Sequence, residues 1–474
     1  LDASLVSHRN PHVVPNRLKG VQHRVLHGGS AAALVQALGH ADRHQPTQWY
    51  LKGLMLPGER KSIEPMAARV HPENVRSAHQ AMHHLVADAP WEDRALLGAV
   101  AEQVLPRLLK KDPRCWWILD DTAHAKKGIH SVGVARQYSG RLGKTDNCQV
   151  AVSLSLANAH GSLPLDYRLY LPKEWTDDPK RCKRTGVPEE IEFRTKGQIA
   201  RAEIEAALAA GIARGVVLAD AGYGDETDFR DWLIEQQFDY VVGVRPGTTV
   251  WWGKHQPAQA PAPLSRRGRP RTRAVRDAKH QPISVLGLAQ TLPQKIWRNV
   301  SWRQGSHSAL SSRFARVRVR AAHRDRIRQE EWLLIEWPAK QSEPTHYWLS
   351  TLPAKTPLKH LVAHAKGRWM IERDYQELKS ELGLSHYEGR NWRGFHHHAT
   401  LCIAAYGFLM TERLSGKKNS ARFKESPLPE GFRPRGSGTD AASRTQLHRH
   451  RALSSRLRHR SSAASVPMLR SVEA

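Results

Sequence analysis

Cysteine is scarce in this chain: four among 474 residues, at positions 115, 148, 182 and 402, with no C-x-x-C pair. That spacing excludes a zinc ribbon and a disulfide framework and suits a reducing compartment. Acidic residues are short as well, with 45 Asp and Glu against 73 Lys and Arg, a formal charge of +28 and a pI near 10.3. Such a surplus predicts a polyanionic partner, nucleic acid ahead of an anionic membrane surface. Long apolar runs are missing too. Leu401 to Met410, the longest near the C-terminus, is about half of what a bilayer needs. The first thirty residues are basic and His-rich without an apolar h-region, so no secretory signal is expected. A hydrophobic fraction of 40% argues against a wholly disordered chain. The expectation is a soluble cytoplasmic protein of about three domains that binds a polyanion and no membrane.

What is present divides into blocks. Residues 1–32 show no sustained period, and the stretch from 416 to 474 is rich in Arg, Ser, His and Ala; both are expected to be poorly ordered. Residues 411–474 contribute +9 of the net charge and the rest of the chain keeps +19, so the basic character is not confined to a tail. Residues 33–112 read as helical, with Val75, Ala78, Met82, Leu85 and Val86 at three- and four-residue spacing after Pro72. They could be a packing domain with a basic face or a helix-turn-helix-like DNA reader. From Cys115 to residue 245, apolar runs rich in Val, Leu and Tyr alternate with the helix-forming stretch Gly197–Ala210, the grammar of an α/β domain with a mixed sheet. Residues 246–352 read as a β-rich insertion, and residues 353–415 return to helix, with one long amphipathic helix over Pro357–Leu382 and another over Phe395–Leu414.

Two buried runs end in carboxylates: CWWILDD stops at Asp121 and GVVLAD at Asp220. Functional groups gather where the strands of α/β sheets end, although a single Asp there usually caps the next helix or turn. In KGRWMIERDYQELK, helical spacing places Arg368, Glu372, Tyr375, Gln376 and Lys379 on one face, a carboxylate bracketed by cations. Phosphodiester cleavage by in-line attack uses two divalent cations roughly 3.5–4 Å apart. Mg²⁺ takes hard oxygen ligands, so three acids from different elements suit such a pair, with Arg and Lys neutralising the remaining phosphate charge.

The runs DDTAHAKKGIHSVGVARQYSGRLGKTDNCQVAVSLSLA, GVVLADAGYGDETDFRD, YWLSTLP and RWMIERDYQELKSELGLSHYEGRNWRGFHHHATL resemble the DDE transposases of bacterial insertion sequences, specifically the insertion-sequence 701 family within the insertion-sequence 4-like group. The resemblance spans about residues 35–435. It implies an RNase H-like catalytic domain interrupted by a β-rich insertion before the Glu-bearing helix and preceded by a helical DNA-binding domain. It also implies Mg²⁺-dependent endonuclease cleavage at the element's ends, with two ions that Mn²⁺ could replace, followed by strand transfer into target DNA. Carried onto this sequence, the first acid is the Asp immediately before Thr122, hence Asp121; the second is Asp220 and the third Glu372, separated by 99 and 152 residues. Arg368 and Lys379 match the basic positions that accompany this Glu, whereas the Tyr expected seven residues before it is Ala365. A Trp from the insertion stacks on a flipped base in some relatives, and Trp348 is the nearest equivalent.

Further DNA contacts are expected from Lys126, Lys127 and the arginines Arg266, Arg267 and Arg269, whose run resembles an AT-hook but reads more simply as a basic loop on phosphates. The consecutive His396, His397 and His398 point in three directions on a helix, a poor metal site, and are expected to pack and to touch phosphate. The partners expected are double-stranded DNA, as terminal inverted repeats and as target, and a second copy of the chain at synapsis, in a bacterial cytoplasm at the nucleoid. The rival readings are an endonuclease of the same fold without strand transfer and an inactive DNA-binding remnant. A glycoside hydrolase built on paired carboxylates is disfavoured by the positive charge.

Overall fold

The N-terminal helices form where the apolar spacing places them. In the computed structural model, residues 36–139, 143–253, 257, 280–304, 309–323 and 327–415 are described. Among the described residues the first α-helices are α1 (His44–Met55), α2 (Ile63–Val70), α3 (Val75–Ala87) and α4 (Asp93–Lys111). Asn74 caps α3 by accepting the Ser77 amide at 3.1 Å, and Ala78, Met82, Leu85 and Val86 form its buried stripe.

Four strands follow: β1 (Trp116–Ala125), β2 (Ala135–Ser139), β3 (Lys144–Asn158) and β4 (Gly161–Leu169). Helix α5 (Lys196–Ala209) starts in a capping box, Thr195 accepting the Gln198 amide while the Gln198 side chain reaches back. Then come β5 (Val216–Ala219), a single helical turn α6 (Ala221–Gly224), α7 (Thr227–Glu235) and β6 (Tyr240–Val244). β1 pairs antiparallel with β3 but parallel with β5, and β5 pairs parallel with β6. This is the mixed sheet expected.

Residues 246–352 are rich in strands, yet those strands do not make a sheet of their own. They hold β7 (Thr249–Trp251), β8 (Ile283–Ser284), helix α8 (Val285–Thr291), β9 (Arg298–Gln304), β10 (Ala309–Ala321), β11 (Glu330–Glu336) and β12 (His346–Ser350). β12 docks antiparallel on β6, from Tyr347 opposite Val244 to Ser350 opposite Val241. The result is one twelve-stranded sheet ordered β2-β3-β1-β5-β6-β12-β11-β10-β7-β8, with β4 on β3 and β9 on β10. Every residue of β6 is buried. Such a strand cannot remain an open edge, and β12 supplies its missing hydrogen bonds.

The long helix expected over Pro357–Leu382 is broken. α9 (Leu358–Gly367) ends at Arg368, α10 (Trp369–Gln376) begins there, and a π turn covers Glu377–Glu381. Gly367, just before the break, lies close to the sheet: a Cβ on it would stand 3.1 Å from Leu218 and 3.4 Å from Trp116, so a larger residue would require those side chains to give way. The last helix, α11 (Trp392–Ser415), is buried on nearly all sides and packs against α1, α3, α4 and β4, so the helices share one core with the sheet. Among the described residues no helix is long and apolar enough to cross a membrane.

The histidine run lies inside this core, with 2–3% of each residue exposed, which corrects the expectation of phosphate contact. His396 and His398 are each satisfied by one neutral tautomer. His396 Nδ1 faces the Trp392 carbonyl while Nε2 accepts the Leu169 amide; His398 Nε2 faces the Gly383 carbonyl while Nδ1 lies 2.7 Å from the Tyr50 hydroxyl. Burial pushes both down to about 4. Between that value and an unfolded pKa near 6.5, the unfolded chain binds protons that the folded chain refuses, so the stability they lend is complete above pH 6.5 and lost as pH falls towards 4. Buried carboxylates titrate in the opposite sense over the same range, so a variant difference is the proper measurement. The stability penalty of His398→Gln should shrink by about 2 kcal/mol between pH 7 and pH 5, read from urea unfolding. A penalty independent of pH would contradict the neutral assignment.

Candidate active site

Strand geometry decides which acids meet. β1 and β5 run parallel with Trp116 opposite Val216 and Ile118 opposite Leu218. Continuing that register by two residues sets Asp120 beside Asp220, on the same face of the sheet. Asp121 points to the other face. The helices confirm which face is which: Gly367 at the end of α9 lies over Trp116 and Leu218, the side shared with Asp120.

Arg368, at the break between α9 and α10, donates to Asp120 at 2.6 Å, with 14% of the Asp120 side chain exposed. Burial would weaken the Arg368 proton, but Asp120, Asp220 and Glu372 together outweigh it and hold the guanidinium above its ordinary value. Arg368 thus pairs with Asp120 of β1 and feels the charge of Asp220, at the end of β5, and of Glu372 on α10. Burial also raises Asp120 to about 6 against the pull of Arg368, with Asp220 adding to the rise. Asp220 caps the α6 turn by accepting the Gly222 amide at 2.8 Å, and Glu372 is exposed on α10.

The Glu-bearing helix is anchored from beneath. Asp374 is buried and accepts from Ser162 of β4 and, at 2.8 Å, from the Tyr406 hydroxyl of α11; Tyr375 meets Ser153 of β3. Asp374→Ala would strand both hydroxyls, an expected loss of about 1–3 kcal/mol in urea unfolding. A loss below a few tenths would show that α10 is held by packing alone.

The other expected residues separate into groups. Asp121, expected as the first acid, has its Oδ2 bound by Lys196 Nζ at 2.5 Å and its Oδ1 by the Tyr223 hydroxyl. Lys379 donates to the Ala123 carbonyl at 3.2 Å and lies 5.6 Å over the Tyr375 ring, bringing it to the same end of β1. Lys126 donates to the Tyr387 carbonyl at 2.7 Å, and Lys127 is exposed in the loop after β1. Trp348 is 8% exposed, stacked against His346 and covered by the Lys366 ammonium, which pairs with Glu336 at 2.6 Å. This face is filled by the protein itself. Arg266, Arg267 and Arg269 lie outside the described residues.

The motif places the first acid at Asp121 rather than Asp120, whereas the ion pair with Arg368 is made by Asp120. The signal was available in the alternation of strand side chains, but only the register with β5 converts it into a face. As a test of fit for a divalent ion, the donor set around Arg368 is all carboxylate oxygen, the chemistry that Mg²⁺ favours. Among the described residues no three such groups are disposed as a ready cage. Arg368 supplies the positive charge between them.

The comparisons with known proteins bear on the family. The model of the DDE superfamily endonuclease family matches residues 33–309. A probable transposase for insertion sequence element IS701 from Microchaete diplosiphon is 32% identical over 188 residues, 40% of this chain and 45% of that protein. The chain thus spans less than half the length of this curated relative. With more than half of its own length matched by the family model, the chain belongs to the DDE superfamily of endonucleases.

Proposed function

We propose that this protein is a DDE transposase, which nicks DNA at the ends of an insertion sequence and joins the freed 3′-hydroxyl to target DNA. The observation that carries the reading is an ion pair at the start of the helix that bears Glu372: Arg368 holds Asp120, on a strand whose register with β5 leads to Asp220. These three acids are the proposed metal ligands, with Asp120 in the place that the motif assigned to Asp121. Glu372 lies beyond the stretch matched by the family model, so its role rests on this placement and on its motif.

Mg²⁺, or Mn²⁺ in its place, would supply activation of the attacking oxygen and charge relief at the leaving one. The chain's own groups do the rest. Arg368 neutralises the carboxylates while no phosphate is present and offers its remaining donors to one. Asp374 and Tyr375 fix α10 so that Glu372 keeps its distance from β1. Lys379, on the Ala123 carbonyl, and Lys126 and Lys127, just after β1, are the proposed contacts for a phosphate backbone leaving the acids. The proposed partners are terminal inverted repeats and target DNA, with a second copy of the chain bridging two ends, in the bacterial cytoplasm at the nucleoid.

Incubating the purified protein with Mg²⁺ and a DNA fragment carrying the element's ends should give nicks at those ends, and a pre-cleaved end should be joined to a plasmid. Nicking without joining identifies an endonuclease lacking strand transfer. DNA binding without either, in Mg²⁺ or Mn²⁺, identifies an inactive remnant and overturns the proposal.

A further inference from the structure

The helix that bears Glu372 starts at the break at Arg368, and strands of residues 246–352 hold the chain on both sides of that break. We infer that Lys366 is a positioning residue: the insertion holds its ammonium among aromatic rings and so fixes where α9 ends and α10 begins. This rests on the assignment of Glu372 as a metal ligand.

Lys366 is the last residue but one of α9. Its Nζ pairs with Glu336 of β11 at 2.6 Å, with 19% and 5% of the two side chains exposed. The centroids of three rings lie within reach of the same nitrogen: Trp302 of β9 at 4.8 Å, Phe314 of β10 at 5.8 Å and Trp348 of β12 at 5.4 Å. All are inside the range of about 6 Å over which a ring face attracts a cation, and the attraction is strongest out of water. Each of the four strands β9 to β12 thus gives one side chain to a single ammonium. Removing that ammonium would leave Glu336 short of its partner in a buried place, which is costly.

The grip reaches the break through the backbone. The Arg368 amide donates to the Lys366 carbonyl, and the Ile371 amide donates to the Arg368 carbonyl at 3.2 Å. Past the break, the Arg303 guanidinium of β9 lies 3.7 Å from the ring centroid of Trp369, the first residue of α10. Ahead of α9, Arg316 of β10 donates to the Thr356 carbonyl and Trp332 of β11 to the Pro353 carbonyl, the latter at 3.1 Å. The insertion therefore meets this segment at its approach, in the last turn of α9 and across the break. Asp374 and Tyr375, which tie α10 to β4, α11 and β3, come just after Glu372 in the chain. Lys366 and Trp369 come just before it, so the acid is bracketed.

The test uses the full chain and two readouts. Hydrogen exchange at the Ile371 amide needs no activity. Lys366→Met, which keeps the stem, and Trp302→Leu, which removes one ring, should each speed it by about ten- to a hundredfold, with the amides of α11 as the control. Unchanged protection of Ile371 in both variants overturns the inference, and so does an equal rise in α11, which would be a loss of global stability. In cleavage, both variants should lower kcat by a similar factor with KM for DNA and the salt slope unchanged, because the Lys366 charge is already engaged with Glu336. Lys366→Arg, which keeps a cation for Glu336 and the rings, should recover part of the loss. A raised KM with a salt slope smaller by about one makes Lys366 a phosphate contact, and the positioning role is then wrong. Faster exchange at Ile371 with a normal kcat also overturns it. If the parent protein shows no Mg²⁺-dependent cleavage, the functional reading fails, and the exchange result still decides whether the insertion fixes the break.

Discussion

Asp220→Asn should abolish Mg²⁺-dependent cleavage while leaving the protein folded and bound to DNA. A ligated metal lends several kcal/mol to the transition state and each 1.36 kcal/mol is tenfold, so the expected fall is at least about 10³-fold in rate. Asparagine is the informative choice because Asp220 has two tasks. Its Oδ1 accepts the Gly222 amide at the start of α6, and an Asn oxygen can accept the same bond, whereas Ala would cost about 1 kcal/mol of cap as well. Only the charge is removed. Glu372→Gln should be equally inactive, and since Glu372 is exposed it should leave unfolding unchanged. Asp120→Asn completes the set and discriminates within the pair of acids in β1: a residual rate close to that of Asp220→Asn places Asp120 in the site, while near-normal cleavage returns the role to Asp121. Gel-shift affinity for the uncleaved fragment should not fall for any of the three, because each loses a negative charge. Retained cleavage in Asp220→Asn would remove the metal-site reading altogether.

The legibility of the sequence divides along a physical line. Local grammar was sufficient for α3 and α5, each capped by the side chain just before it, and for α4, whose apolar residues recur at helical spacing. It was also sufficient to mark Asp220, because an acid that ends a buried run and opens a turn needs no distant partner to be noticed. Non-local pairing was out of reach. Nothing within 246–352 announces that β12 would cap the edge of β6 and merge the insertion with the main sheet, since edge complementarity is a property of two strands about a hundred residues apart. The close approach of Gly367 to Trp116 and Leu218 was out of reach, and so was the parallel register of β1 with β5, which gives Asp120 and Asp121 different faces of the sheet. Trp348 shows the same limit from the other side. Its motif resembles a base-stacking position, but His346 and Lys366 already cover its ring, and only packing reveals that.

DNA affinity should collapse with salt, and the slope should reside largely in the folded part of the chain. Each phosphate neutralised releases condensed counterions, so six to ten contacts lose roughly 10³–10⁵ in affinity between 50 and 200 mM salt. The net charge of +28 overstates the cations free to make such contacts. Arg368 is engaged with Asp120, Arg328 with Asp231, Arg168 with Asp93 and Asp166, Lys366 with Glu336 and Lys196 with Asp121. Paired charges of this kind release few ions when DNA arrives. What remains is the surplus, and residues 1–415 keep +19 of it when the stretch from Gly416 onward is removed. A chain ending at Ser415 should therefore retain a log–log salt slope at least half as steep as the parent's, measured by fluorescence anisotropy on an uncleavable duplex, because counterion release scales with the phosphates still contacted. A slope that vanishes on truncation would move the DNA-binding energy into residues 416–474 and leave the acids around Arg368 without a means of gripping their substrate. A shallow slope in the parent itself would argue against a phosphate backbone as the partner that the charge selects.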